Sequence, residues 1–423
     1  MNEADLEHVA GPNLSTTKER PWLFGVLIAP VAVFSNGLIS GALSYLLRRQ
    51  GVNIGRSSQI IALLILPQSI YFLWSPITDF WIRRRSWLIV GAIGAALTLA
   101  AAFHGSRLDT PVAVTLMFLS ACFGQLIVSS CGGMMGTLHS EAARRKASGF
   151  FQAGALAFGA LGIFVLAFLA EKLSMGPLGW ITAAFIVLPS FAALAAPASS
   201  SCPESSDTLK QTFGCIWHEF KTTFFRWRAI PYTLVMLFPM CSGAAIGLLP
   251  GIAQDYGVTG QQMAWMNGLA GALLTAAGSL AATLIPTHVR APVAYLSVGV
   301  LNEATIAILW LAPLRPSTYF LGTTLYLFTI GACYALFTAV VLEFLGQSGK
   351  SGCSRYSIIN SLGNVPVAYM TAVDGHGGKL WGARGLAGTD AVVGTIGAAI
   401  LLVYFLSRKR AEAPVAAAYA GGD

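Results

Sequence analysis

Two acidic residues lie inside long apolar stretches of the sequence, where they could carry protons. Glu303 follows Asn302 in the middle of the apolar run 291–312, and Asp374 lies near the end of another, 355–375. An ionised carboxylate at the centre of a membrane costs about 2.5 kcal/mol or more. Glu303 therefore either binds protons or forms a structural hydrogen bond, and Asp374 could instead lie at the membrane interface. We predict Glu303 and Asp374 as candidate proton-coupling residues.

A second set of charged residues is placed for a conformational gate. Asp79 lies at the end of the apolar run 58–80 and is followed by Arg83 and Arg84. Opposite charges at helix ends can pair in one conformation and separate in another. Solvated loop charges are the alternative explanation. The predicted gating residues are Asp79, Arg83, Arg84, Glu141, Arg144 and Glu343.

Neutral polar side chains recur along single faces of several apolar runs. Asn36, Ser40 and Ser44, for example, are spaced by four residues, which places them on one side of a helix. Buried amides and hydroxyls either join helices or line a water-filled cavity. Their occurrence in several runs favours a cavity that binds a polar solute. The predicted substrate-binding residues are Asn36, Gln68, Tyr71, Gln125, Gln152, Asn267, Asn360 and Asn364.

Membrane-spanning helices must position these residues. Of the 423 residues, 55% are hydrophobic and only 10% are charged, whereas about a quarter are charged in a soluble protein. Runs long enough to cross a hydrocarbon core of about 30 Å lie at 22–47, 58–80, 86–103, 110–134, 148–170, 178–197, 229–254, 262–285, 291–312, 317–345, 355–375 and 388–407. We expect the least polar of them, 86–103, 178–197 and 388–407, to face lipid.

A polar segment divides the twelve runs into two sets of six. The segments 37–41 (Gly-Leu-Ile-Ser-Gly) and 247–251 (Gly-Leu-Leu-Pro-Gly) take equivalent places in the two sets, as in a parallel internal repeat. Chance similarity of Gly/Leu-rich helices is the alternative. The predicted fold is an all-α membrane protein with twelve transmembrane helices in two pseudo-symmetric six-helix bundles. Its predicted parts are a tail 1–21, a bundle 22–197, a linker 198–228 with an amphipathic helix, a bundle 229–407 and a tail 408–423.

Composition and motifs exclude several other functions. The net charge of +8 comes from clusters of Lys and Arg between apolar runs, and the positive-inside rule then predicts cytoplasmic termini rather than nucleic-acid binding. The sequence contains no Gly-x-x-x-x-Gly-Lys-Ser/Thr, His-Glu-x-x-His or Gly-x-Ser-x-Gly. We therefore predict no enzyme, no cofactor and no metal, and an ion gradient as the energy source.

Part of the N-terminal sequence resembles a known family. The spacing of Ser75, Asp79, Arg83 and Arg84 is similar to that of the loop between helices 2 and 3 in the major facilitator superfamily. The segments Leu-Leu-Arg-Arg-Gln-Gly-Val (46–52) and Phe-Leu-Trp-Ser-Pro-Ile-Thr-Asp (72–79) look like the muropeptide permease and acetyl-coenzyme A transporter branch, to which some siderophore importers are also similar. The resemblance implies the major facilitator fold and proton-linked uptake by alternating access, with Asp79, Arg83 and Arg84 in the gate.

These observations predict a monomeric secondary transporter in the bacterial inner membrane. We expect it to take up a bulky polar solute, such as a muropeptide or a siderophore, together with protons. Its other partner would be the lipid bilayer. Efflux of drugs or metabolites is the alternative within transport, and a membrane sensor is the alternative outside it.

Overall fold

The computed structural model describes residues 20–73, 77–78, 81–105, 107–136, 138, 141–196, 214, 217, 221, 229–286, 289–345 and 352–407. Within these ranges the chain forms helices and no strands. Eight of the helices are long and apolar enough to cross a membrane, and the predicted all-helical class is confirmed. The two predicted tails and most of the linker lie outside the described residues, so its amphipathic helix stays a prediction.

The first half of the chain contains six helices, one for each predicted run. Most of their ends lie close to the predicted positions because the apolar stretch and its polar or glycine-containing flanks define a membrane-crossing segment. The second helix instead ends at Ser69 rather than at residue 80, the fifth begins at Glu141 rather than at 148, and the sixth ends at Ser190 rather than at 197. The six helices are α1 (Leu23–Arg49), α2 (Ile54–Ser69), α3 (Arg84–His104), α4 (Pro111–Gly136), α5 (Glu141–Ala170) and α6 (Met175–Ser190).

The second half differs from the prediction in two places. The run 229–254 is not one helix but two pieces, and the last two runs form a hairpin whose helices meet at Trp381 and Gly382, where the backbone is not helical. The elements are α7a (Ile230–Leu237), α7b (Ala244–Ile252), α8 (260–281), α9 (Ala291–Leu311), α10 (Pro316–Leu345), α11 (352–380) and α12 (383–407).

Helix packing repeats with an offset of six. In the first half, α3 packs on α4 and α6, and α2 packs on α4. In the second half, α9 packs on α10 and on the α11–α12 hairpin, and α8 packs on α10. Across the halves, α1 contacts α7b, α2 contacts the hairpin, and α5 contacts α8. This contact pattern agrees with a repeat of six helices, and the three helix pairs that join the halves form the centre of the molecule.

Two of these central helices contain wide turns. The segments Ala32–Ala42 of α1 and Trp265–Ala270 of α8 are π-helical. Such turns displace side chains from the regular helical spacing and frequently occur at functional sites. Each segment contains one of the predicted substrate-binding amides, Asn36 or Asn267.

Candidate functional site

One polar side chain is exposed in the middle of an otherwise enclosed helix. Every residue from Leu23 to Leu47 in α1 is buried or half-buried except Asn36. Since α1 packs on α2, α5 and α7b, a side chain at its centre can be exposed only to a space inside the protein. We infer from the exposure of Asn36 that an open space lies beside it, near the contact between the halves.

The neighbouring helix α5 supplies a second polar group beside Asn36. The Asn36 Nδ2 donates a hydrogen bond of 3.4 Å to the carbonyl of Ala155, and its Cβ packs where Gly159 leaves room. Gln152 is exposed and precedes Ala155 by three residues, so the two lie on the same face of α5. Asn36 and Gln152 thus lie in the same region, and their role in substrate binding stays a prediction.

Of the other predicted residues in the first half, Gln68 joins two helices. Gln68 Nε2 donates to Ser35 Oγ over 2.8 Å, which joins α2 to α1 one residue away from Asn36. Tyr71 and Gln125 are buried. Of these three side chains, Gln68 thus holds α2 against α1.

In the second half, the predicted amides are found at two different places. Asn267 Nδ2 donates to the hydroxyl of Tyr319 over 2.7 Å and to the carbonyl of Met263 over 3.2 Å. Asn364 instead lines a separate cavity of about 180 Å³ beside α7. The side chain of Asn360 lies outside the described part of the structure.

The cavity beside α7 is produced by the break in that helix. Phe238 is extended, as expected for a residue before a proline, and Pro239 has no N–H to continue the helix. Cys241 and Gly243 have φ angles of 48° and 72°, in the left-handed region. The chain therefore leaves the helical conformation over residues 238–243, contrary to the continuous helix predicted over 229–254.

Side chains from other helices satisfy the backbone groups that this break leaves free. The hydroxyl of Tyr369 donates to the carbonyl of Leu237 over 2.7 Å, and that of Tyr295 donates to the carbonyl of Met240 over 3.4 Å. Buried backbone groups without partners are costly, and these bonds satisfy the carbonyls of Leu237 and Met240 at the break. Phe238, Met240, Cys241 and Ser242 of the break contribute to the wall of the cavity.

Three buried carboxyl groups lie behind the break. Glu303 of α9, Asp374 of α11 and Asp390 of α12 are 2%, 0% and 3% exposed. Glu303 packs directly against Gly394, where a Cβ would have no room, and Asp390 precedes Gly394 by one helical turn. The Cys241 N–H donates to Glu303 Oε1 over 3.4 Å. The three carboxyls interact electrostatically with one another.

Several oxygens of this cluster lack a hydrogen-bond donor. Within the described residues, nothing donates to Glu303 Oε2 or to either oxygen of Asp374, and no salt bridge reaches the three acids. Facing carboxyls can hydrogen-bond to each other only when one is protonated, and uncompensated buried charge is costly. The arrangement is therefore suited to holding protons.

The cluster corrects two expectations from the sequence. Asp374 is fully buried in the protein, and α11 continues beyond the predicted end at residue 375. Its depth in the membrane stays a prediction. The run 388–407 was expected only to face lipid, yet Asp390 lies in it, is buried, and interacts electrostatically with Asp374. The signal was present in the sequence as an acid within an apolar run.

The structure describes the side chains of only some of the predicted gating residues. Asp79 lies outside the described residues, as do the side chains of Glu141, Arg144 and Glu343, although the last three residues belong to α5 and α10. Arg83 is exposed. Arg84 Nη1 donates to the carbonyl of Gly133 over 2.6 Å, which joins α3 to α4 within the first half.

An ion pair that was not predicted links the two halves at the opposite end of the molecule. Arg48, at the end of α1, pairs with Asp255 after α7b, with Nη2 and Oδ1 3.1 Å apart. Its Nε also donates to the carbonyl of Gly251 over 3.2 Å. At the same end, Gly251 packs against Ser44, and Gly375 packs against Ser58. The halves are therefore in close contact at this end, which we call the Arg48 end.

Comparison of the sequence with known protein families identifies one matching family. The sequence profile described as Major Facilitator Superfamily matches residues 25–369. No curated protein matches the chain.

Among solved structures, the fold is similar to those of several transporters. The nucleoside transporter NupG covers 92% of this chain and 99% of its own, with a TM-score of 0.68 and 12% identity. A POT family transporter in complex with 5-aminolevulinic acid covers 92% and 96%, with a TM-score of 0.69 and 14% identity. A D-xylose-proton symporter covers 90% and 96%, with a TM-score of 0.65 and 13% identity. At these identities the likeness shows a shared fold.

Proposed function

The chain belongs to the Major Facilitator Superfamily, and from this premise we propose that it is a secondary transporter that takes up a polar solute together with protons by alternating access. The observation that carries the proposal is the exposure of Asn36 in the middle of an enclosed helix. A multi-pass membrane protein with an internal polar cavity between two six-helix repeats has the parts that a transporter needs.

The conformation agrees with one state of such a cycle. If both termini are cytoplasmic, as the distribution of Lys and Arg predicts, the Arg48 end faces the outside. The Arg48–Asp255 pair then closes the outer side. The predicted charges around Asp79, Arg83, Arg84, Glu141, Arg144 and Glu343 would form the inner gate, and the bacterial inner membrane is the proposed location.

Several facts support a polar solute. The described groups near Asn36 are neutral amides, which bind hydroxyls, amides and carbonyls through hydrogen bonds. The similar structures include proteins named for nucleosides and D-xylose, which are polar molecules. The resemblance of segments 46–52 and 72–79 to the muropeptide branch supports a muropeptide or a siderophore as the substrate.

The substrate can be identified by binding to the purified protein. We would measure the melting temperature with a disaccharide-peptide muropeptide, a ferric hydroxamate siderophore and acetyl-coenzyme A, because a ligand that binds the folded state raises it. A shift with one class identifies the substrate. No shift with any of them would contradict the proposed substrate class.

Proton coupling requires a transport assay in sealed vesicles. With the identified ligand, uptake should increase when a proton gradient is directed inwards and should collapse when an uncoupler is added. Glu303→Gln should abolish gradient-driven accumulation but preserve exchange of labelled for unlabelled ligand. Accumulation only in inside-out vesicles would instead support efflux, and binding without any flux would support a sensor.

A further inference from the structure

The break in α7 touches two different features of the molecule through one residue. The backbone N–H of Cys241 donates to Glu303 in the carboxyl cluster. Cys241 also lines the cavity of about 180 Å³, together with Phe238, Ser242 and Asn364. A change in the hydrogen bond at Glu303 would therefore act directly on the wall of this cavity.

We propose that the protonation state of Glu303 controls the shape of this cavity through the Cys241 amide, and that Asp390 sets how readily Glu303 takes up a proton. The use of this link in transport rests on the proposed function, but the link itself does not. The proposal gives the break 238–243 the role of transmitting protonation to the cavity, and it gives Asp390 the role of controlling proton uptake by Glu303.

The chemistry of the bond explains how protonation is transmitted. An N–H bound to a carboxylate makes a charge-assisted hydrogen bond, which is roughly twice as strong as one to a neutral carboxyl. When Glu303 is ionised, the break is held against α9. When Glu303 is protonated, the bond weakens and the non-helical segment, which has no internal helical bonds to restrain it, can move towards or away from the cavity.

The groups around Glu303 decide when this change occurs. Asp390 approaches it from α12, Asp374 from α11 and Tyr326 from α10, while Cys241 faces it from the break. None of these groups is a cation. Two negative charges so close together repel, so an ionised Asp390 makes ionisation of Glu303 more costly. Asp390 is the neighbour best placed to do this, because it lies one turn from Gly394, against which Glu303 packs.

Residues next to the carboxyl cluster also make contacts with other helices. Asp374 is followed by Gly375, which packs against Ser58 of α2 in the other half. Asn302, beside Glu303, donates to Thr329 Oγ1 of α10 over 2.8 Å. Both neighbours of the cluster are thus held in place, which leaves the bond to Cys241 as the contact that changes with protonation.

Hydrogen exchange of the Cys241 amide tests the proposal without any ligand. We would measure it residue by residue in the purified full-length protein across a range of pH and divide each rate by its intrinsic value. The wild-type amide should lose about fivefold of its protection as the pH falls, since the charged and neutral bonds differ by about 1 kcal/mol. Protection that does not depend on pH would overturn the proposal.

Three variants separate the parts of the proposal. Glu303→Gln should keep the Cys241 amide weakly protected at every pH, and a wild-type pH profile in this variant would overturn the role of Glu303. Asp390→Asn should move the loss of protection to lower pH, because a repelling charge is removed. An unchanged profile there would overturn the role of Asp390.

Tyr369→Phe is the matched control. It removes the hydrogen bond to the carbonyl of Leu237 at the same break but changes no acid. Exchange in this variant should be faster at every pH with the same pH dependence. A flat profile would overturn the proposal, because it would show that any loosening of the break removes the effect. Because no substrate is involved, failure of uptake in the vesicle assay would leave this result unaffected, and the reverse also holds.

Discussion

At the scale of single residues, the distinctive feature is a set of polar groups inside the protein whose hydrogen bonds are not all satisfied by the described residues. Asn36 is exposed in an enclosed helix, and Glu303 and Asp374 have oxygens that receive no hydrogen bond within the described part of the chain. Such groups reduce stability. Their presence is explained if Asn36 is satisfied by a solute and the acids by protons.

Asn36→Leu tests the first of these explanations. Leu fills similar space but cannot hydrogen-bond a solute, so binding of the stabilising ligand should weaken about tenfold, equivalent to one lost hydrogen bond of about 1.4 kcal/mol. The measurement is the ligand concentration that produces half of the shift in melting temperature.

Thr98→Val is the control for this variant. Among the described residues, the hydroxyl of Thr98 bonds within its own helix, to the carbonyls of Gly94 and Ala95 in α3. Equal weakening by both variants, or unchanged binding in Asn36→Leu, would show that Asn36 does not contact the solute.

At the scale of elements, glycines allow the helices to approach closely. In α8, Gly278 packs against the backbone carbonyl of Phe328 in α10, and Gly331 of α10 packs in the same way against Thr275 of α8. Two backbones in reciprocal contact form a rigid pair. This pair of helices belongs to the second half of the chain, which also contains the break in α7.

Gly278→Ala should therefore destabilise the protein. The new methyl group would collide with backbone atoms that cannot rotate away, which costs about 1–3 kcal/mol, and the melting temperature of the purified protein should fall. Gly132→Ala is a matched control, since Gly132 is helical, exposed and has nothing within 4 Å of the added Cβ. There we expect no loss, or a gain of up to about 1 kcal/mol from helix propensity.

The sequence predicted the helices well because hydrocarbon thickness imposes one simple rule on their length and composition. It missed Asp390 because the predicted run began at 388, which placed this acid at a helix end. The helix begins at 383, so Asp390 lies two turns inside it. The break at 238–243 was signalled by Pro239, but a proline can also kink a continuous membrane helix. The Arg48–Asp255 pair joins residues 207 positions apart, a contact that no local pattern contains.

At the scale of the whole molecule, the two halves meet tightly at the Arg48 end. The ion pair between Arg48 and Asp255 is partly exposed, at 24% and 30% of the side-chain surfaces. A pair of this kind contributes about 1 kcal/mol or less. That is small against the stability of a fold, but it is enough to change the ratio of two conformations about fivefold.

Arg48→Ala should therefore increase the population in which this end is open. We would place spin-labelled unnatural amino acids at the exposed positions Arg56 and Gln254, one in each half, and measure their distance distribution in lipid nanodiscs. The fraction at longer distances should rise severalfold. Arg107→Ala removes an ion pair to Asp109 at the same end but within one half, so it should leave the distribution unchanged. If both variants behave like the wild type, the Arg48–Asp255 pair does not hold the two halves together.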